Sequence, residues 1–220
     1  MESIDSGATA KHGIFITLEG PDGAGKSSQA GALADRMRAA GRATVLTREP
    51  GGTELGERVR EVLLSAAAAH DALTDALLFN ATRRQLVRDV IEPALAKGST
   101  VVCDRFADST LAYQGFGSGA PLDALRALAE VATDGLTPTR TVLLDLPAEI
   151  GLARRFGGST DQLTRFETSA AFDRAFHERV RAGYLELAGA EPERWRVVDA
   201  SRPAEEVAAD VWDVVRDLFD

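Results

Sequence analysis

The sequence predicts an α/β fold: an open parallel sheet with helices on both faces. Three observations predict it. Short β-branched apolar runs recur along the chain, and stretches with helical periodicity separate them. The runs are apolar without strict alternation, as strands covered on both faces are. A glycine-rich loop, residues 20–27, stands between the first run and the first helical stretch. At 220 residues the chain is long enough for one domain with a sizeable core.

In chain order, residues 1–12 lack both an apolar signal core and an arginine-rich transit pattern, so a flexible lead-in is expected. Residues 13–19 (GIFITLE) are the first strand. A helix over 26–40 closes at Gly41 in "GRAT". The second strand is 44–47, followed by helices at 55–65 and 73–96. Pro93 lies inside the latter and is expected to kink it, because proline lacks the N–H of the helical ladder. Gly98 in "KGST" closes it, and "TVVCD" at 100–104 is the third strand. Residues 115–121 read as a loop, and Pro121 opens a helix over 121–133. Strand 141–146 and helix 148–156 come next. Residues 156–162 (FGGSTDQ), flanked by arginines, have the composition of a lid. Helix 170–188, strand 196–198 and a helix over 203–219, begun by Pro203, complete the chain.

Composition narrows the function. The net charge of −9 argues against a broad nucleic-acid footprint, which needs a basic stripe. It leaves room for a local phosphate pocket. The lysines are Lys11, Lys26 and Lys97, so nearly all positive charge is arginine, the residue that forks onto phosphate. One cysteine, Cys103, excludes an internal disulfide and is expected to pack as a small hydrophobe. No run approaches the ~18 apolar residues of a membrane span. No membrane partner and a cytoplasmic location are therefore expected.

Gly20-Pro21-Asp22-Gly23-Ala24-Gly25-Lys26-Ser27 fits G-x-x-x-x-G-K-[ST] between a strand and a helix, the context that gives the pattern its meaning. Glycines let successive backbone N–H groups curl round a β-phosphate, and the helix N-terminus adds partial positive charge. Lys26 would reach between β- and γ-phosphates and Ser27 would ligate Mg²⁺, with Ser28 beside it at the helix start. This pattern binds a nucleoside triphosphate and is silent on the phosphate acceptor.

Asp104 ends the third strand at the same edge of the sheet, where it would meet Ser27 and join the Mg²⁺ shell. Arg105 follows and would clamp a phosphate. Arg48, in "TREPGGT", emerges at that edge too. Phe79 and Arg83, four apart on one helix, share a face and can hold an aromatic base.

With these stretches in hand, the chain resembles the thymidylate kinases within the P-loop nucleoside monophosphate kinases. The resemblance rests on "FITLEGPDGAGKSSQ", "TREPGGT", "LLFNATR" and "DRFADSTLAYQG" in this order, and extends from Gly13 to about Leu218. It implies a five-stranded parallel sheet in a single kinase domain over 13–220, with a short lid at about 153–167. The implied reaction transfers the γ-phosphoryl group of ATP to dTMP, on the way to dTTP. It implies that Phe79 stacks on thymine, Arg83 bonds O4, Gln114 helps read the base and Tyr113 packs beside C2′. Asp22 would accept from the 3′-hydroxyl, and Arg48 and Arg105 would hold the monophosphate with Ser109 behind them. It also implies a homodimer.

The family supplies a donor-side arginine either from the phosphate loop or from the lid. Here the loop has none, so the lid must, and Arg154, Arg155 and Arg165 are the candidates. Thr164 stands where the family pattern has an aspartate before Arg165. Two rival readings are a kinase for another nucleoside or nucleoside monophosphate, and a regulatory ATP-binding module. ATP turnover that depends on dTMP separates both from the first reading.

Overall fold

The structure is a computed structural model and describes residues 13–65, 70–156 and 174–219. The lead-in at 1–12 and the lid residues beyond Phe156, Arg165 among them, lie outside the described residues.

Five strands form one parallel sheet: β1 (Phe15–Glu19), β2 (Thr44–Arg48), β3 (Thr100–Asp104), β4 (Arg140–Asp145) and β5 (Trp195–Asp199). Their order is β2-β3-β1-β4-β5. The chain leaves β1 toward β2 and leaves β3 toward β4, so the connections part company between β1 and β3. A ligand crevice opens at such a point, beyond the carboxyl ends of the strands.

The helices are α1 (Lys26–Ala39), α2 (Glu54–Leu64), α3 (Ala72–Leu86), α4 (Glu92–Ala96), α5 (Ala107–Thr110), α6 (Leu122–Thr133), α7 (Ala148–Phe156), α8 (Arg174–Ala190) and α9 (Ala204–Asp213). Ile16 and Leu18 of β1 join Leu33 and Met37 of α1 and Val207 and Val211 of α9 in one core. Phe15 points the other way, into a core with Leu86, Ile91 and Phe106. Because strand residues alternate faces, Thr17 and Glu19 share the side of Phe15. That side carries α3, α5 and α8.

Three elements differ from the sequence reading. The expected helix 73–96 is interrupted by a wide turn over Val87–Ile91, where the Glu92 N–H reaches back five residues to the Val87 carbonyl. A wider turn accommodates Pro93, which has no N–H to offer. The expected loop at Gly115 is instead the end of a helical stretch, since α5 runs on through a wide turn over Leu111–Gly117. The last helix stops at Asp213, and a 3₁₀ turn over Arg216–Phe219 completes it.

Candidate active site

The phosphate loop leaves β1 and enters α1 at Gly25, whose φ of 85° is left-handed and whose position carries no capping side chain. The first-turn amides of α1 are therefore left for an anion. Gly23 permits a close approach: a Cβ there would stand 2.2 Å from the Gly151 carbonyl oxygen of α7. The loop thus rests directly on the helix that leads to the lid.

Lys26 is buried and donates to the carbonyls of Gly20 (3.0 Å) and Pro21 (2.8 Å). Burial and the nearby Arg105 push its ammonium down to about 8. Arg60 is lowered likewise by burial and by the Arg48 charge. Cations that depress one another gain most from an arriving anion.

The Ser27 hydroxyl donates to Asp104 Oδ2 in a very short contact. Asp104 Oδ1 is buried with no hydrogen-bond partner among the described residues. A hydroxyl oxygen beside a carboxylate with one open oxygen fits Mg²⁺, which takes few protein ligands and fills its shell with water and phosphate oxygens. No group of three or more His, Cys, Asp or Glu that could hold a metal ion occurs among the described residues.

Beside the loop lies a cavity lined by Asp22, Arg60, Phe79, Arg83, Arg105, Ser109, Tyr113, Gln114 and Arg155, with Glu49 and Thr110 in its wall. Arg105 is its centre. Its Nη2 meets Asp22 Oδ1 at 2.5 Å and the Tyr113 hydroxyl at 3.1 Å. Its Nη1 donates to Ser109 Oγ at 3.2 Å. Its backbone holds a φ of 70°, a conformation unusual for a side-chain-bearing residue. Burial alone would raise the Asp22 carboxyl, but Arg105 and Lys26 hold it below the usual range.

Arg83 is 1% exposed. Its Nε donates to Glu49 Oε2 (2.8 Å), Nη1 to Asn80 (2.7 Å), and Nη2 to the Phe106 carbonyl (3.2 Å) and Thr110 Oγ1 (3.1 Å). Nη1 keeps a second hydrogen for a ligand. The guanidinium is thus fixed before any base arrives.

The structure brings Asp22, Phe79, Arg83, Arg105, Ser109, Tyr113, Gln114 and Arg155 together, with Lys26, Ser27 and Asp104 next to them. It does not bring Arg48. That guanidinium is exposed and paired with both oxygens of Glu57, at 3.0 and 3.1 Å, and Glu57 also accepts from the Gly52 N–H. The reason is local: Glu57 lies one turn into α2 and pairs with Arg48. Arg60, which the sequence reading missed, lines the cavity instead and donates to the Pro50 carbonyl at 2.8 Å. Arg154 is turned away, onto the carbonyls of Ala200 and Ser201 at 2.7 and 2.8 Å. Glu49 was also missed, although it stands inside the quoted "TREPGGT".

A phosphate loop on the central strand, a Mg²⁺-competent Ser-Asp pair and an arginine-lined acceptor cavity define a P-loop kinase acting on nucleoside monophosphates. Residues 18–211 match the family model described as thymidylate kinase. Similar relatives include thymidylate kinases from Deinococcus radiodurans (53% identical over 203 residues, 92% of this chain and 96% of the relative) and Thermomicrobium roseum (51% over 205 residues, 93% and 95%). A crystal structure of thymidylate kinase from Ehrlichia chaffeensis superposes with a TM-score of 0.74 at 33% identity, covering 92% of this chain and 98% of that one. The chain belongs to the thymidylate kinase family. It is an ATP-dependent phosphotransferase that passes a phosphoryl group to dTMP.

Proposed function

We propose that dTMP lies along the cavity with its base between Phe79, Arg83 and Gln114 and its phosphate at Arg60 and Arg105. The single observation that supports this reading is the arrangement of the cavity wall. The wall holds a ring and a fixed donor in Phe79 and Arg83, two further cations in Arg60 and Arg105, and Asp22 and Tyr113 hydrogen-bonded to Arg105. Asp22 accepts from the 3′-hydroxyl, and the Tyr113 ring crowds the sugar at C2′. Lys26 and the loop amides hold the donor phosphates. Ser27 and Asp104 would hold Mg²⁺, which would supply charge neutralisation for the donor phosphates. Arg155 approaches the transferred group from α7.

Little covalent help is needed. A monophosphate is already largely ionised near pH 7, because its second pKa lies near ~6. Transfer then rests on alignment and charge neutralisation, and no strong base is required. Arg83 selects the base: its spare N–H suits a carbonyl oxygen at C4 and opposes an amino group.

An acceptor panel with purified protein tests this. dTMP is the best acceptor. dUMP, lacking one methyl, is poorer by about 1–3 kcal/mol of discrimination. dCMP is far worse, because its amino group meets the Arg83 donor and one of the two stays unpaired. Equal turnover of dCMP and dTMP overturns the assignment of Arg83.

The same reading includes a homodimer. Leu55 and Val62 of α2, Leu73 and Leu77 of α3, and Val131 of α6 are large apolar side chains at the surface, from 42% to 76% exposed. The spacings of seven and four put each helical pair on one face. Three adjoining helices then offer apolar surface for a two-fold contact. Sedimentation is expected to show a dimer at micromolar concentration. A monomer throughout that range rejects it.

A further inference from the structure

We propose that Glu19 is a positioning residue for the acceptor phosphate: through the hydroxyls of Ser109 and Tyr184 it fixes the guanidinium of Arg105. Glu19 closes β1 on the face packed against α5 and α8, and it is fully buried. A carboxylate there is expensive, and an apolar side chain would pack at less cost. Its hydrogen bonds show what it does instead. Oε1 accepts from the Phe106 N–H at 2.7 Å, at the start of α5. Oε2 accepts from Ser109 Oγ at 2.5 Å and from the Tyr184 hydroxyl at 2.9 Å. The two hydroxyl oxygens lie 2.8 Å apart, and Arg105 Nη1 approaches them at 3.2 and 3.4 Å.

The proton inventory carries the argument. Each hydroxyl has one hydrogen. When both hydrogens point at Oε2, only lone pairs face Arg105, and both can accept from Nη1. The other edge of the guanidinium is drawn to Asp22. Without the hydroxyl pair, that attraction pulls Arg105 onto Asp22 and off the line to the acceptor phosphate. Glu19 therefore acts on the acceptor phosphate through Arg105. A glutamine in its place fails in either orientation. Its NH₂ opposes the Phe106 N–H, or it opposes the hydroxyls and turns a hydrogen toward Arg105.

The inference rests on the reading that Arg105 holds the monophosphate, and Arg105→Ala tests that reading separately. The variants are Glu19→Gln, Tyr184→Phe and the double change, each assayed for the KM of dTMP, the KM of ATP and kcat at pH 8. Each single change is expected to raise the dTMP KM about tenfold while the ATP KM stays within about twofold. The double change is expected to cost little more than one, since both act along one path. An unchanged dTMP KM, or equal changes for both substrates, overturns the proposal, as does an effect of the double change equal to the product of the singles. If Arg105→Ala itself leaves the dTMP KM unchanged, the phosphate assignment is what fails. Should Glu19→Gln not fold, Tyr184→Phe, which removes a single oxygen, decides on the same two constants.

Discussion

At the scale of single residues, the site is built by competition for charge. Arg48 stands in the "TREPGGT" turn and Arg60 in the helix after it; Arg60 lines the cavity, while Arg48 is paired with Glu57. Spacing could not reveal that choice, since it depends on where α2 starts and which carboxylate its first turn presents. Among the described residues no carboxylate forms an ion pair with Lys26, although Asp22, Asp104 and Glu19 act on its charge. It is buried among the carbonyls of its own loop, with burial and Arg105 lowering its proton affinity. Its carbonyl bonds are the kind that an arriving phosphate displaces, and the sequence from 13 to 96 contains no other lysine. Lys26→Ala should therefore fold and lose turnover. Removing one preorganised contact to a charged transition state costs about 10²–10³ in rate, roughly 3–4 kcal/mol. Steady-state kcat with saturating dTMP and ATP, beside a thermal melt, checks this. A kcat near the parent value means the loop lysine does not act on the γ-phosphate.

At the scale of elements, what was legible in the sequence followed the strength of the local signal. The strands were visible because β-branched runs such as "TVVCD" end sharply, and β3 matches its expected bounds. Helix α7 does too. The helical stretch carrying Ser109, Thr110, Tyr113 and Gln114 was missed. It is short, ends in glycines and buries polar residues, so no amphipathic stripe marks it. Its start depends on Glu19, distant in sequence, which accepts the Phe106 N–H. Site residues on that stretch were legible only through the resemblance. The three lid arginines can be ranked by where α7 ends. Arg155 lines the cavity, whereas Arg154 is tied to the turn after β5 by two backbone carbonyls. Arg165 lies outside the described residues. Arg155→Ala is expected to lower kcat by about 10²-fold with modest loss of ATP affinity, as suits a contact realised in the transition state. Arg154→Ala is expected to keep kcat within a few fold and to lower the melting temperature. Separate kcat and ATP-binding measurements on each variant distinguish them. If Arg155→Ala stays within a few fold of the parent, Arg155 has no part in transfer, and Arg165→Ala then decides whether the lid supplies the charge.

At the scale of the whole molecule, the site opposes the stability of the fold that carries it. Burial, with the nearby Asp108 adding to it, pushes the Glu19 carboxyl up to about 7, against an ordinary value of 4.5. The other groups facing it are Arg105, which favours the charged form, the Ser109 and Tyr184 hydroxyls, and Lys26 and Cys103 nearby. The sign follows from proton counts. Between about 4.5 and 7 the folded chain binds the proton at Glu19 and the unfolded chain does not, so stability contributed there falls as pH rises. The Asp22 carboxyl, held low, acts in the opposite sense but in a window below the ordinary aspartate range. Lys26, held at about 8 against 10.5, acts at higher pH: there the unfolded chain holds the extra proton and stability recovers. The unliganded protein thus has its weakest contribution from these groups near neutrality, where it works. Glu19→Gln removes the first window and leaves the others in place, so the difference between variant and parent isolates it. Urea unfolding at pH 5 and pH 8 should show the variant gaining on the parent by about 2–3 kcal/mol between the two conditions. A gain in stability paired with a raised dTMP KM would identify Glu19 as a group kept for positioning at the expense of the fold. A difference that does not change with pH would mean that Glu19 is ionised in the folded chain across the whole range, as it is in the unfolded one. The hydrogen bonds from Phe106, Ser109 and Tyr184 would then offset the whole cost of burying its charge at the working pH.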